Sequence, residues 1–210
     1  MHAKRERLES MRLYALITEA LCRRPWLETA RLLLEGGVEV IQLREKALEG
    51  KELLARARAL RQLTNEFSAL FIVNDRPDVA VLSGADGVHL GQDDLPVEEV
   101  RRLAGEDMII GLSTHTPEQA REAQGRGADY VGVGPVFPTE TRGYREGGGL
   151  ELVRALCRET QLPTVAIGGI TAENAAGVWR AGAQAVAASA ALCGAEDPRL
   201  AARHFLEAFV

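Results

Sequence analysis

Cysteine is scarce in this chain of 210 residues: Cys22, Cys157 and Cys193 are all there are, and no two form a CxxC pair. A disulfide framework or a cysteine zinc site is therefore not expected, and a reducing compartment fits the odd count. Positive charge is not in surplus. Lys and Arg total 25 against 30 Asp and Glu, a formal net charge of -5, which argues against a general nucleic-acid binder. Long hydrophobic runs are missing too. The longest stretch without Asp, Glu, Lys or Arg is 181–195, rich in Gly, Ser and Ala, and a bilayer needs about 20 apolar residues. The charged residues 1–7 are followed by no clean apolar stretch, because Glu19 and Arg23-Arg24 interrupt it. No signal peptide and no membrane segment are expected, and a cytoplasmic location is. No linker, low-complexity segment or charge block marks a second domain.

What is present is ordinary globular composition, 46% hydrophobic and 26% charged. Short runs rich in β-branched residues recur at 12–18, 40–44, 70–75, 87–91, 109–114, 130–135, 164–169 and 185–190. Between them apolar residues fall at helical spacing, as in Leu53, Leu54, Ala57, Leu60 and Leu63. The runs are apolar on both faces (Leu70-Phe71-Ile72-Val73 is the clearest), which suits parallel strands covered by helices. A repeat sharpens this. Gly36-Gly37-Val38-Glu39, Gly84-Ala85-Asp86, Gly127-Ala128-Asp129 and Gly182-Ala183-Gln184 each precede an even-numbered strand, at spacings of 47, 43 and 55 residues. Each begins with glycine where a helix should end. Eight strands in four near-quarters predict a single-domain α/β protein, a closed (β/α)8 barrel over 12–210 behind an N-terminal extension at 1–11.

In such barrels the active groups sit at the C-terminal ends of the strands, and polar residues gather at those positions. After strand two, Gln42, Arg44 and Lys46 are two apart and share one face of an extended chain. Facing inward they make an anion site; facing outward they are surface charges. After strands three and four come Asn74-Asp75 and Gln92-Asp93-Asp94. Carboxylates on neighbouring strand ends can share a magnesium ion that takes its other oxygens from water and substrate phosphates; manganese has the same taste in ligands. Each Asp could equally cap a helix. After strand five, His115 is either a general base or a structural histidine bonded to a loop carbonyl, whereas His89, within a strand, reads as a core residue. Residues 134–149 form the longest βα loop, glycine-rich at its end, a flap over an anion or a plain surface loop. Gly168-Gly169 and Ser189 follow strands seven and eight, where barrels bind phosphate through backbone N–H groups. Two anion sites imply two phosphorylated small molecules, or one phosphorylated at both ends.

The chain resembles the thiamine phosphate synthase family from about residue 12 onward. The resemblance is carried by Gln42-Leu43-Arg44-Glu45-Lys46, Val73-Asn74-Asp75, residues 86–94, Ser113-Thr114-His115, residues 134–141 and Ile167-Gly168-Gly169-Ile170. It implies a TIM barrel and a magnesium-dependent transferase of thiamine biosynthesis. The enzyme would join hydroxymethylpyrimidine diphosphate to hydroxyethylthiazole phosphate and release pyrophosphate. It assigns Asp75 and Asp94 to the metal, and Arg44, Lys46 and Asn74 to the pyrophosphate. Gln42 and Ser113 fall to the pyrimidine, and Thr139, Thr141, Gly169 and Ser189 to the thiazole phosphate. Arg44, Lys46, Ser113 and Arg142 would be the catalytic set. Arg142 stands where the family usually has Lys, the loop to Gly149 is shorter, Ala188 replaces a larger apolar residue, and Gln184 replaces the usual Asp. The other readings are a thiazole tautomerase of the same superfamily, with His115 as base, and a non-catalytic phosphate-binding barrel. No nucleic-acid or membrane partner is expected, and the sequence leaves room for a homo-oligomer.

Overall fold

The computed structural model describes residues 2–139 and 146–209. All eight expected runs are strands: β1 (Leu13–Ile17), β2 (Val40–Leu43), β3 (Leu70–Asn74), β4 (Gly87–Leu90), β5 (Ile109–Thr114), β6 (Tyr130–Val133), β7 (Thr164–Ile167) and β8 (Ala185–Ala188). Seven of them stop one or two residues earlier than the sequence suggested, because the chain leaves the ladder to enter the βα loops. Every neighbouring pair is parallel, and β1 closes on β8 through Tyr14 opposite Ala187. The helices α2 (Trp26–Glu35), α3 (Gly50–Glu66), α4 (Pro77–Ser83), α5 (Val97–Ala104), α6 (Pro117–Gly125), α7 (Gly149–Arg158) and α8 (Ala172–Arg180) fill the crossovers. The short α9 (Ala190–Cys193) and α10 (Pro198–Glu207) follow β8, and α1 (His2–Ser10) precedes the barrel.

Alternation along each strand divides the core in two. Leu13, Ala15 and Ile17 of β1, Ile41 and Leu43 of β2 and Phe71 and Val73 of β3 pack outward against the helices. Tyr14, Leu16, Val40, Leu70, Ile72, Ile109, Tyr130, Val165, Ala185 and Ala187 fill the interior. Leu8 and Met11, both buried, join that inner cluster from the N-terminal segment. They close the barrel at the ends where the strands begin.

The repeat now has a physical account. An N–H in the first two residues of a strand, where the neighbouring strand has not yet begun, needs another acceptor. Glu39 Oε2 accepts from Leu13 N at 3.1 Å, Asp86 Oδ2 from Phe71 N at 2.9 Å, and Asp129 Oδ2 from Ile110 N at 2.9 Å. These carboxylates also hold the N-terminal segment: Lys4 pairs with Asp86, Arg5 with Asp129 and Arg12 with Glu39. Gln184, the odd member of the repeat, instead donates its amide to the Leu8 carbonyl at 2.9 Å. All four repeat positions thus grip residues 4–12 across the closed end, which leaves the opposite rim for chemistry.

Candidate active site

The opposite rim surrounds a cavity of about 350 Å³. Of the residues singled out in the sequence, Gln42, Arg44, Ser113, Thr139, Gly169 and Ser189 all line it. The face of β2 that carries Gln42 and Arg44 therefore looks inward. Leu16, Val165, Ile167, Ala187 and Ala188 make the other wall apolar. Thr141 and Arg142 lie outside the described residues.

A continuous chain of polar contacts crosses the floor of the cavity. Gln42 Nε2 donates to Tyr14 Oη at 2.7 Å, and Tyr14 Oη lies 3.0 Å from Tyr130 Oη. Tyr130 Oη lies 3.0 Å from His89 Nδ1, and His89 Nε2 lies 2.9 Å from Ser113 Oγ. With Gln42 as donor, Tyr14 gives its proton to Tyr130 and Tyr130 gives its own to Nδ1. The imidazole proton then sits on Nε2 and points at Ser113, whose hydroxyl hydrogen is left for a ligand. Burial pushes both phenols up from their ordinary range, outweighing for Tyr14 the opposing bonds from Tyr130 and Gln42. Both therefore stay neutral donors. Gln42 Oε1 is buried and has no hydrogen-bond partner among the described residues. It is an acceptor open to a ligand, and a costly one to leave unused.

At the rim, Lys46 Nζ lies 3.2 Å from Asp75 Oδ2, and Asp94 sits against Asp75. Burial, then the Gly91 N–H, which pulls the other way, then Asp75 set the Asp94 carboxyl, with a net upward push. Neither aspartate caps a helix: α4 starts behind Arg76 and α5 behind Pro96. Asp75 instead adopts a left-handed φ of 60°, unusual outside glycine, and such strain gathers at functional positions. Asn74 is buried beside it, its Oδ1 without a hydrogen-bond partner among the described residues. No group of three or more His, Cys, Asp or Glu side chains forms among the described residues. Two carboxylates with a spare amide oxygen fit magnesium, which commonly takes one or two carboxylates and completes its shell with phosphate and water.

Across the cavity, Gly168 and Gly169 have φ of 106° and 61°. A Cβ at Gly169 would meet Pro138 O and Phe137 Cβ, so these glycines also let the loop after β6 pack onto β7. Phe137 N bonds Gly168 O at 2.9 Å. Ser189 precedes α9 and donates its hydroxyl to Leu16 O at 2.9 Å. His115 Nδ1 lies 2.6 Å from Gly134 O, the loop-carbonyl bond that was one of its two readings.

A family model described as thiamine monophosphate synthase matches residues 13–192. The chain belongs to the thiamine monophosphate synthase family. The thiamine-phosphate synthase of Moorella thermoacetica is 47% identical over 93% of this chain and 94% of its own. That of Synechococcus sp. (strain WH7803) is 51% identical over 83% of this chain, which spans 49% of that longer protein. The solved thiamine phosphate pyrophosphorylase from Pyrococcus furiosus superposes with a TM-score of 0.88 at 41% identity, covering 96% of each chain.

For this member of the thiamine monophosphate synthase family, reading the strand ends singled out the two ends of the floor's polar chain, Gln42 and Ser113, but missed its middle. Tyr14 and Tyr130 were not singled out, and His89 was read as core. It is buried, yet its ring joins Tyr130 to Ser113 beneath the cavity. The available signal was alternation: Tyr14 shares the inner face of β1 with Leu16. It stayed hidden because strands buried on both faces show no polar–apolar contrast.

Proposed function

We propose that this protein is a thiamine phosphate synthase that joins hydroxymethylpyrimidine diphosphate to hydroxyethylthiazole phosphate and releases pyrophosphate. The observation that carries the reading is one cavity with a neutral hydrogen-bonding floor, lined by Arg44, Thr139, Gly169 and Ser189. The Lys46–Asp75–Asp94 cluster stands at the strand ends of the same rim, outside the cavity's lining. Gln42 Oε1 and the Ser113 hydroxyl offer an acceptor and a donor to the aminopyrimidine. Arg44 and Lys46 hold the pyrophosphate. Gly169, Thr139 and Ser189 hold the thiazole phosphate, with Thr141 and Arg142 assigned there by family resemblance.

The carbon–oxygen bond from the pyrimidine methylene to pyrophosphate breaks, and its electron pair leaves with the oxygen. Arg44 and Lys46 stabilise that growing charge as it forms. The aminopyrimidine ring delocalises the methylene cation, and the apolar wall of Leu16, Val165, Ile167 and Ala187 keeps water from trapping it. The thiazole nitrogen then gives its lone pair to the methylene carbon. No proton moves in that step, so no general base is needed, and His115 is engaged with a backbone carbonyl. Holding both rings in one cavity removes much of the entropic barrier. Asp75 and Asp94 are the residues that would hold magnesium, whose chemistry there is to neutralise charge on the departing pyrophosphate.

The reading includes action in the cytoplasm on two small molecules. Among the described residues no helix is long and apolar enough to cross a membrane. The test is the purified protein with both substrates and magnesium, following pyrophosphate release and thiamine phosphate formation. Turnover of the thiazole tautomer without coupling would favour the isomerase reading. Binding without either reaction would favour a non-catalytic barrel.

A further inference from the structure

We propose that Glu45, backed by Arg56 of α3, is a positioning pair that aims Arg44 and Lys46 at the leaving group. This rests on the reading of that rim as the pyrophosphate end. β2 ends at Leu43, so the sheet alone does not hold the residues that carry the cations. Three bonds to the end of β1 and the residues just after it hold Arg44 and Glu45. Arg44 N donates to Ile17 O at 2.9 Å, Thr18 Oγ1 donates to Arg44 O at 2.8 Å, and Glu19 N donates to Glu45 Oε1 at 2.6 Å.

The alternation that turns Arg44 inward turns Glu45 the other way, into the layer between barrel and helices. Its side chain is only 10% exposed. Arg56 Nη1 lies 3.7 Å from Glu45 Oε1, and Arg56 is itself fixed. Its Nη2 lies 2.8 Å from both Glu19 Oε2 and Glu52 Oε1, and its guanidinium lies over the Trp26 ring, 5.3 Å from the centroid. A buried carboxylate stripped of its cation keeps its charge only at high cost and seeks another partner. The nearest in sequence are Arg44 and Lys46. Arg56 therefore does two things at once. Its charge, facing Glu45 without a hydrogen bond, steadies the carboxylate that accepts from Glu19 N–H, and it stops Glu45 from cancelling the positive charge that faces the substrate.

The test uses the full chain with Glu45→Ala, Glu45→Gln, Arg56→Met and Arg56→Lys. Three readouts apply: binding of inorganic pyrophosphate with magnesium by calorimetry, KM for each substrate, and thermal unfolding. Glu45→Ala and Arg56→Met should weaken pyrophosphate binding and raise the KM for the pyrimidine diphosphate by roughly tenfold, the scale of losing a supporting residue behind a ligand site. The KM for the thiazole phosphate should stay within about twofold, since the residues assigned to it follow β6, β7 and β8. Glu45→Gln keeps the acceptor for Glu19 N–H and the side chain's shape, so it folds; it should fall between wild type and Glu45→Ala. Arg56→Lys keeps the charge and should recover most of the loss. A lower unfolding temperature with unchanged pyrophosphate binding, or both KM values rising together, overturns the positioning role while leaving the reading of the rim intact. Wild-type protein that binds no pyrophosphate overturns the rim assignment, and the positioning role with it.

Discussion

His89 Nε2 lies 2.9 Å from Ser113 Oγ, and the same ring's Nδ1 lies 3.0 Å from Tyr130 Oη, so one imidazole ties β4 to both β5 and β6 inside the barrel. Tyr130→Phe removes a single oxygen from that chain and takes one bond from each of two buried groups: the Tyr14 hydroxyl proton loses its acceptor and His89 Nδ1 its donor. Each lost buried bond costs about 1–3 kcal/mol. A chain of this size loses roughly 2–4 °C of melting temperature per kcal/mol. The variant should melt about 4–24 °C lower. It should also show a raised KM for the pyrimidine diphosphate, because the tautomer that directs Ser113 is no longer set. Calorimetry with steady-state kinetics checks both; wild-type values in both would mean the five side chains do not act as one chain.

Asp75→Asn separates charge from shape at the rim. Asn tolerates the left-handed φ of 60° that Asp75 adopts, so the fold should survive with a melting temperature within about 3 °C of wild type. The lost carboxylate charge should cut magnesium-dependent turnover by about a hundredfold or more. The stabilisation that magnesium and pyrophosphate together give the wild type in thermal unfolding should vanish as well. Near-normal turnover would remove Asp75 from the proposed metal site.

Why some of this was legible and some was not follows from the physics of each residue. The glycine–acid repeat marks helix ends and strand starts, and both are local demands, so the barrel could be read from Gly84-Ala85-Asp86 and its cognates. Gln42, Arg44 and Lys46 were visible because polar side chains on one face of an otherwise apolar strand have few uses. The middle of the floor was not visible, because its members meet only through closure. Tyr14 and Tyr130 come from β1 and β6, 116 positions apart. Gly111 shows the same limit. A methyl group there would run into the Tyr130 ring, yet in sequence the residue is one more glycine in a strand. Glu45 is a third case. Its neighbours on both sides are cations, and only the structure shows that its partner is Arg56, one layer out.

Leu8 tests how far the N-terminal helix belongs to the barrel. It is 2% exposed and packs with Met11 into the inner core, while its carbonyl accepts the Gln184 amide. Leu8→Ala should cost about 2–5 kcal/mol and lower the melting temperature by roughly 4–20 °C. The KM values should not move, since the cavity opens at the other rim. A variant that melts with the wild type would show that residues 1–11 ride on the barrel without closing it.

Asp86 makes the stability depend on acid in a defined direction. Burial alone would raise its carboxyl, but the Phe71 N–H at 2.9 Å, Arg61 at 2.5 Å and then Lys4 at 3.1 Å outweigh burial and hold it below the ordinary value of 3.8. The unfolded chain therefore takes up a proton at a higher pH than the folded one. Above about pH 5 neither state binds that proton, and the contribution is complete and flat. As the pH falls below about 4 the unfolded state gains protons first, and the contribution drains away until the folded carboxyl titrates too. Asp86→Asn keeps an oxygen for Phe71 N–H and loses the charge that Arg61 and Lys4 face. Its melting temperature should lie below wild type by a constant gap between about pH 5 and 8, and the gap should narrow as the pH falls below about 4. A gap as wide at pH 3 as at pH 7 would mean that the Asp86 charge contributes nothing, and that the repeat position works through its hydrogen bond alone.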